Sequence, residues 1–382
     1  MASVEESLSR KRVAIVGPVF PYRAGIAYCT TRLAEELSAH ADIALFSFKR
    51  QFPKLFYPGG DDVDPTLIER TPAAARFELD VVNPFTWFRE GRKLASERPD
   101  VVIFVWWIWI WAIPYLVIRS LLPESTKVIL QCHNVGHKEP AIWKDWLTQW
   151  MLRSAHALVV HAETEARDAK ALLGEAKVEV TKSFLPVHEL GGAIPSRSEA
   201  RKRLKLDAAG HVALFFGHVR PFKGLDIAIH AWRRMATEAE LLVAGEVWWG
   251  EQEKYDRLAR EQGVQSSIIF DSRFIPDSEV ADYFAATDVV ISPYRSEAQS
   301  GVALTAFHFS RPVIATRVGG FPELVDEGVN GLLVPPEDPT ALAGAVDRFF
   351  TDCDRPAMEE AASRTARELN WERYAKDFAR LL

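Results

Sequence analysis

The 382-residue sequence predicts an α/β protein built from two doubly wound domains, each with a parallel sheet. Length alone gives two to three domains at roughly 150 residues each. Short apolar strings alternate with amphipathic segments of about ten to fifteen residues, the pattern of parallel strands joined by crossover helices. The strings fall into two sets on either side of residues 188–210, where Gly191, Gly192 and Pro195 flank the charged segment 197–205 and mark the best boundary.

In chain order the first set is 13–16, 43–46, 101–105, 128–133 and 157–160, all rich in Val, Ile, Leu and Phe and short enough for buried strands. Ile26, Leu33 and Leu37 share one side of a helix after the first string. The second set is 212–216, 241–244, 268–270, 289–292, 313–315 and 332–334. The last segment, 356–382, reads as one helix with apolar positions at Leu369, Tyr374, Phe378 and Leu381. No tandem repeat or low-complexity tract interrupts the pattern.

Composition narrows the function. Hydrophobic residues at 48% and charged residues at 26% exclude a disordered, collagen-like or disulfide-stapled chain. A net charge of -6 argues against a nucleic-acid binder. Residues 1–187 carry 23 basic and 22 acidic side chains, the remainder 23 and 30, so an anionic partner is better tolerated by the first half. Cys29, Cys132 and Cys353 form no Cys-x-x-Cys pair, which suits a reducing cytoplasmic compartment without a zinc site. Residues 1–12 are polar and lack the apolar stretch of a secretory signal.

One uncharged run of 18, residues 101–118, is long enough to raise a membrane span. It starts as a buried strand and Pro114 interrupts the rest, so two elements are expected. Eight of the twelve tryptophans lie between Trp87 and Trp150. Trp143, Leu147, Trp150 and Met151 recur at helical spacing and are expected in the core. The cluster Trp106, Trp107, Trp109 and Trp111 reads equally as core or as an interface-seeking groove for a lipid-linked acceptor.

Two doubly wound domains place ligands at the carboxyl ends of their strands, in the crevice the two sheets share. The loop from Gly17 to Gly25 lacks both the Gly-x-Gly-x-x-Gly and the P-loop pattern, which removes nicotinamide and P-loop chemistry. It reads either as a plain βα turn or as a close approach to a phosphate or hydroxyl-rich ligand at a helix start. In Gly217-His-Val-Arg-Pro-Phe-Lys-Gly224, Arg220 and Lys223 leave a strand end together, either as solvated surface or as a cation pair able to neutralise a diphosphate. Around Ser300-Gly301-Val302 a strand, a glycine and a helix start meet within ten residues, leaving first-turn N–H groups that favour an anion. Asp62-Val63-Asp64 reads as a solvated loop, not a metal site.

Taken together, Lys223-Gly224, the loop from Glu297 to Thr305, Pro312-Val-Ile-Ala-Thr and Val318-Gly-Gly-Phe-Pro-Glu323 resemble the retaining glycosyltransferases of family 4. In the first half Ala24-Gly25-Ile26, Pro99-Asp100 and Cys132-His133-Asn134-Val135 extend the likeness to nearly the whole chain. The resemblance implies the GT-B architecture, two Rossmann-like domains facing across a cleft. An acceptor-binding domain over 1–190, a linker over 191–205, a donor-binding domain over 206–358 and a last helix, 359–382, crossing back to the first domain would follow. It implies a hexosyltransferase that moves a sugar from a nucleotide-diphosphate donor of UDP or GDP type to a glycan or lipid-linked acceptor. No metal and no further cofactor is implied, with polysaccharide biosynthesis in the cytoplasm as the process; the tryptophan cluster adds the expectation of a weak, reversible, peripheral membrane association of the first domain. Carried over residue by residue, it gives the donor diphosphate to Arg220, Lys223, Ser300, Gly301 and Val302, the donor sugar to Glu297 and His133, and a ligand-approaching turn to Gly25. Thr305 stands where the family pattern has a ribose-holding glutamate, and offers one hydroxyl in place of a bidentate acceptor. That departure keeps open a nucleotide-sugar-binding protein with little catalysis, and a GT-B-type epimerase is a further alternative.

Overall fold

The computed structural model describes residues 10–23, 25–53, 62–136, 142–190 and 193–382. Ala24, Gly191, Gly192 and the residues before Arg10 lie outside the described residues. The rest forms two compact units. The first takes 10–53, 70–183 and 371–382, and the second takes 62–69 and 184–370.

In the first unit β1 (Arg12–Val16), β2 (Asp42–Arg50), β3 (Ala75–Asp80), β4 (Val101–Trp106), β5 (Lys127–Cys132), β6 (Ala157–Val160) and β7 (Glu179–Lys182) pair all-parallel in the order β3-β2-β1-β4-β5-β6-β7. The helices between them are α1 (Gly25–Leu37), α2 (Pro84–Ser96), α3 (Ala112–Leu121), α4 (Ile142–Arg153) and α5 (Glu163–Leu173). In the second unit α6 (Arg197–Leu204) precedes a sheet of β8 (Val212–Phe216), β9 (Glu240–Ala244), β10 (Ile268–Asp271), β11 (Val289–Ser292), β12 (Val313–Thr316) and β13 (Gly331–Val334). Its order, β10-β9-β8-β11-β12-β13, is also wholly parallel. The crossovers are α7 (Leu225–Trp232), α8 (Gln252–Gln262), α9 (Asp277–Ala286), α10 (Gly301–His308) and α11 (Phe321–Leu324), followed by α12 (Pro339–Thr351), α13 (Arg355–Glu368) and α14 (Trp371–Ala379). Each chain half starts in mid-sheet, winds to one edge and returns across the start. The switch points therefore fall between β1 and β4 and between β8 and β11, where loops diverge and ligands enter.

All eleven apolar strings are strands. The central ones are covered on both faces: every residue of β4 is buried. The apolar run splits as expected into β4 and the ten-residue α3, with Pro114 tolerated in the first turn. No described helix is long and apolar enough to cross a membrane. The sequence reading lacked β3 and β7, which sit at the two edges of the first sheet and carry Arg76, Glu78, Glu179 and Lys182 toward solvent.

Two expectations need correction. Much of the charged segment 197–205 is helix α6, begun by a capping box between Ser196 and Glu199 and fixed by Arg201. The buried Arg201 guanidinium bonds the Ala286 carbonyl at 2.8 Å and Asp288 at 2.9 Å, so the segment packs on the second unit. The last segment is also two helices. The chain leaves α13 at Leu369, whose carbonyl accepts the Val187 N–H at 2.9 Å, and starts again as α14 in the first unit.

Candidate functional site

At the β8/β11 switch point two loops come together. Gly217 follows β8 with φ +87°, and a Cβ there would lie 3.2 Å from Lys223 Nζ and 3.7 Å from Val302 Cγ2. The ammonium and the first turn of α10 thus converge on one strand end. Lys223 closes a short turn after Arg220, its N–H bonded to the Arg220 carbonyl at 2.9 Å, and its Nζ stands 5.2 Å from the Tyr294 ring centre. Burial pulls the Lys223 ammonium down to about 8, with the Glu297 carboxylate opposing and Arg220 reinforcing the shift.

Arg220 lies against two rings, its Cζ 4.9 Å from the centre of Phe222 and 4.6 Å from that of Trp248. Trp248 in turn donates from Nε1 to His218 Nδ1 at 3.2 Å. The aromatic contacts orient the guanidinium while its polar edge keeps donor capacity.

The 293–300 loop is clamped from below. Arg295 forks onto Asp226 at 2.9 and 2.7 Å, and its backbone N–H meets the Phe222 carbonyl at 2.7 Å. Burial would raise the Asp226 carboxyl, but the Arg295 guanidinium outweighs it and holds the group below its ordinary range. Glu297 is half-buried, accepts the Ala298 N–H at 3.2 Å and is near enough to Lys223 to raise it. Ser300 caps α10 by accepting from Ala303 N at 3.3 Å. Helix geometry leaves the Gly301 and Val302 N–H groups without carbonyls of their own, pointed along the positive end of the helix. Gly301 is required by a close neighbour: a Cβ there would meet His188 Cε1 at 2.7 Å. His188 is buried, and burial followed by the nearby His308 lowers it to about 4, so it stays neutral at pH 7. Thr305 is buried and donates its hydroxyl to the Gly301 carbonyl at 2.8 Å, retaining only acceptor lone pairs.

Of the residues expected from the sequence, Arg220, Lys223, Glu297, Ser300, Gly301, Val302 and Thr305 come together in the second unit. His133 and Gly25 belong to the first. Gly25 opens α1. His133 follows β5, donates its N–H to the Trp106 carbonyl at 2.8 Å and stacks on His161 with ring centres 5.4 Å apart. Sequence reasoning missed Arg295, Trp248 and His188. Their partners lie from 28 to 113 positions away in the chain, and no short motif signals such a pairing. The Asp62-Val63-Asp64 segment departs from the solvated loop expected, because Asp64 is buried and spends one oxygen on Thr66, at 2.8 Å to N and 2.7 Å to Oγ1. Among the described residues no group of three or more His, Cys, Asp or Glu side chains is arranged to hold a metal ion.

The tryptophans reverse the expectation for α4. Trp143 and Trp150 are 51% and 49% exposed, and of the four apolar positions only Met151 is buried. Trp106 and Trp111 are fully buried, Trp111 stacking on Phe48 at 4.1 Å. A helical repeat shows that residues share a face, not which side of the fold that face meets.

A family model described as "Glycosyl transferases group 1" matches residues 210–352, and one described as "Glycosyl transferase 4-like domain" matches residues 24–182. The chain is 31% identical over 338 residues to the D-inositol 3-phosphate glycosyltransferase of Mycobacterium tuberculosis strain H37Ra, covering 81% of this chain and 68% of that one. It is 34% identical over 233 residues to the enzyme of the same name from Acidothermus cellulolyticus, covering 58% of this chain but only about half, 52%, of the relative. Among solved structures, sucrose-phosphate synthase from Thermosynechococcus elongatus superposes with TM-score 0.75 at 18% identity over 97% of this chain and 98% of that one. The Anabaena HepE protein in complex with UDP-glucose gives TM-score 0.75 at 18% identity, over 97% and 100%. These two show a shared fold.

Proposed function

The chain belongs to the glycosyl transferases of group 1, and from that premise we propose that it transfers a sugar, with retention and without a metal ion, from a nucleoside diphosphate sugar to a glycan or lipid-linked acceptor. The observation that carries the donor assignment is the convergence of Lys223 Nζ and the start of α10 on Gly217, with Arg220 on the same loop. Two cations and two amide N–H groups at a switch point suit a diphosphate, and the UDP-glucose bound by the HepE protein of the same fold supports that choice.

In the reaction the bond between the sugar C1 and the terminal phosphate oxygen breaks, its electron pair staying on that oxygen. Lys223, Arg220 and the Gly301 and Val302 N–H groups stabilise the growing charge, a task otherwise given to a metal ion. The acceptor hydroxyl attacks C1 from the face the diphosphate leaves, and its proton passes to the departing phosphate oxygen. Glu297, near enough to Lys223 to raise its ammonium, is proposed to meet the donor sugar, the role that the family resemblance also gives to His133. Gly25 opens a helix whose N-terminus can accept a close approach. Thr305 offers the ribose a single acceptor, which predicts a weaker nucleoside hold than a carboxylate gives.

A thermal-shift screen against UDP, GDP, ADP and their common sugars tests the reading, because a ligand that prefers the folded chain raises its melting temperature with occupancy. A shift with one nucleoside diphosphate sugar, accompanied by transfer or slow donor hydrolysis, is expected. A shift with no turnover would point to a binding protein, product without acceptor to an epimerase, and no shift with any of them would remove the donor assignment.

A further inference from the structure

The surface of the first unit carries a tryptophan stripe with no role in the donor site. On α4, Trp143, Trp146, Trp150 and Arg153 recur at spacings of three, four and three, which puts them along one side of the helix. The three rings are 51%, 49% and 49% exposed, and Arg153 is exposed at the end of the stripe. The opposite side holds the helix in place: Thr148, Met151 and Leu152 are fully buried. Gln149 also bonds the Leu172 carbonyl of α5 at 2.7 Å. The rings pair along the stripe, Trp146 with Trp150 at 4.0 Å and Trp109 edge-on to Trp143 at 4.5 Å, and Ile113 on α3 is likewise half-exposed.

We propose that this face of α4 seats the protein on an anionic lipid bilayer, lying in the headgroup region. The inference deepens the reading of a lipid-linked acceptor and rests on it. Tryptophan is the side chain that prefers the water–hydrocarbon boundary, because its indole is apolar in body and keeps an N–H for water or a headgroup. Cations stand beside it: Arg153 ends the stripe and Lys144 Nζ lies 5.8 Å from the Trp143 ring centre. Asp145 is the helix's one acidic side chain against these two cations, which leaves α4 with a net positive charge. Phosphate headgroups complement that pattern. A second copy of the chain fits less well. A tryptophan offers up to about 250 Å², so three half-exposed rings provide about 370 Å², well under the roughly 800 Å² per partner of a stable dimer.

Flotation of the full chain with vesicles tests the proposal. Vesicles of phosphatidylcholine with phosphatidylglycerol are compared with phosphatidylcholine alone, for the parent chain and for a variant with Trp146→Ser and Trp150→Ser. The parent is expected to float with the anionic vesicles, more weakly with the zwitterionic ones, and the variant to lose about tenfold or more of its partitioning as two interfacial rings are removed. Tryptophan emission of the parent should shift to the blue on adding anionic vesicles. Circular dichroism and the donor-induced thermal shift show that the variant is folded, since neither ring supports the core. A parent that stays with the soluble fraction, or a variant that floats equally well, overturns the proposal. So does a concentration-dependent dimer abolished by the same substitutions, which would make the stripe a self-interface. A donor-induced shift without flotation removes the membrane surface alone. Flotation without any donor shift removes the donor reading and leaves the surface standing.

Discussion

In the proposed reaction the charge on Lys223 stabilises the leaving diphosphate. Its ammonium is pulled down to about 8 by burial. Donor affinity of the free protein is therefore expected to fall as pH rises through that value, and isothermal titration with the matching nucleoside diphosphate between pH 7 and 9 measures it. Stability runs the other way. An unfolded lysine titrates near 10.5, so between about 8 and 10.5 the unfolded chain holds more protons and this residue makes folding more favourable as pH rises. Lys223→Ala should lower kcat about 10²–10³-fold, the usual effect of removing one preorganised donor from a leaving group. Activity within a few-fold of the parent would contradict the role. Trp248 is a positioning residue. Indole N–H only donates, so His218 Nδ1 must hold a lone pair and the neutral ring carries its proton on Nε2. Nitrogen NMR should find that tautomer in the parent and a mixture in Trp248→Phe, which keeps a ring under Arg220. Trp248→Ala should also weaken donor binding by about tenfold, since a partly desolvated cation–π contact contributes about 1–2 kcal/mol. An Nδ1–H tautomer in the parent would refute this chain of contacts.

Among the elements, α14 shows how a short helix is tied to a sheet by one polar network. The Cys132 carbonyl lies 3.0 Å from His161 Nδ1 and can only accept, so neutral His161 donates there and its Nε2 accepts from Tyr374 at 2.9 Å. The Tyr374 hydroxyl then accepts from Gln131 Nε2 at 3.0 Å, and around it Trp371, Ala375 and Phe378 are buried. Burial lowers His161 to about 4, opposed by its bond to the Cys132 carbonyl. With an ordinary value of 6.5, the unfolded state binds the extra proton between 6.5 and 4, and stability is lost as pH falls through that window. Tyr374→Phe leaves two buried partners unmatched and should destabilise the first unit by about 1–3 kcal/mol at pH 7. Amide exchange of β5 and β6 reads that loss, and the gap between parent and variant should narrow near pH 4. Equal exchange at pH 7 would show that the hydroxyl contributes nothing. The element-level reading of the sequence failed in two informative places. β3 and β7 were invisible because edge strands need no apolar run, and the terminal helix was read as one because Leu369 continues the apolar repeat across the break.

At the scale of the molecule, two wholly parallel sheets follow from the βα alternation, since a strand that must be covered on both faces is written as a short apolar string. The sequence by itself determined those eleven strands and the small set of cations and helix-start residues that follow strands of the second half, because each depends on neighbours within about ten positions, whereas the strand order and its switch points came from the pairing of distant segments. Only the tertiary structure decided what those residues meet: Arg295 on Asp226, Arg220 against Trp248, His188 against Gly301, Thr305 turned onto its own helix. It also decided that the tryptophans of β4 and its following turn lie largely in the core while those of α4 face outward. Periodicity fixes which side chains share a face, whereas the packing of distant segments fixes whether that face is covered, and no local pattern encodes the second.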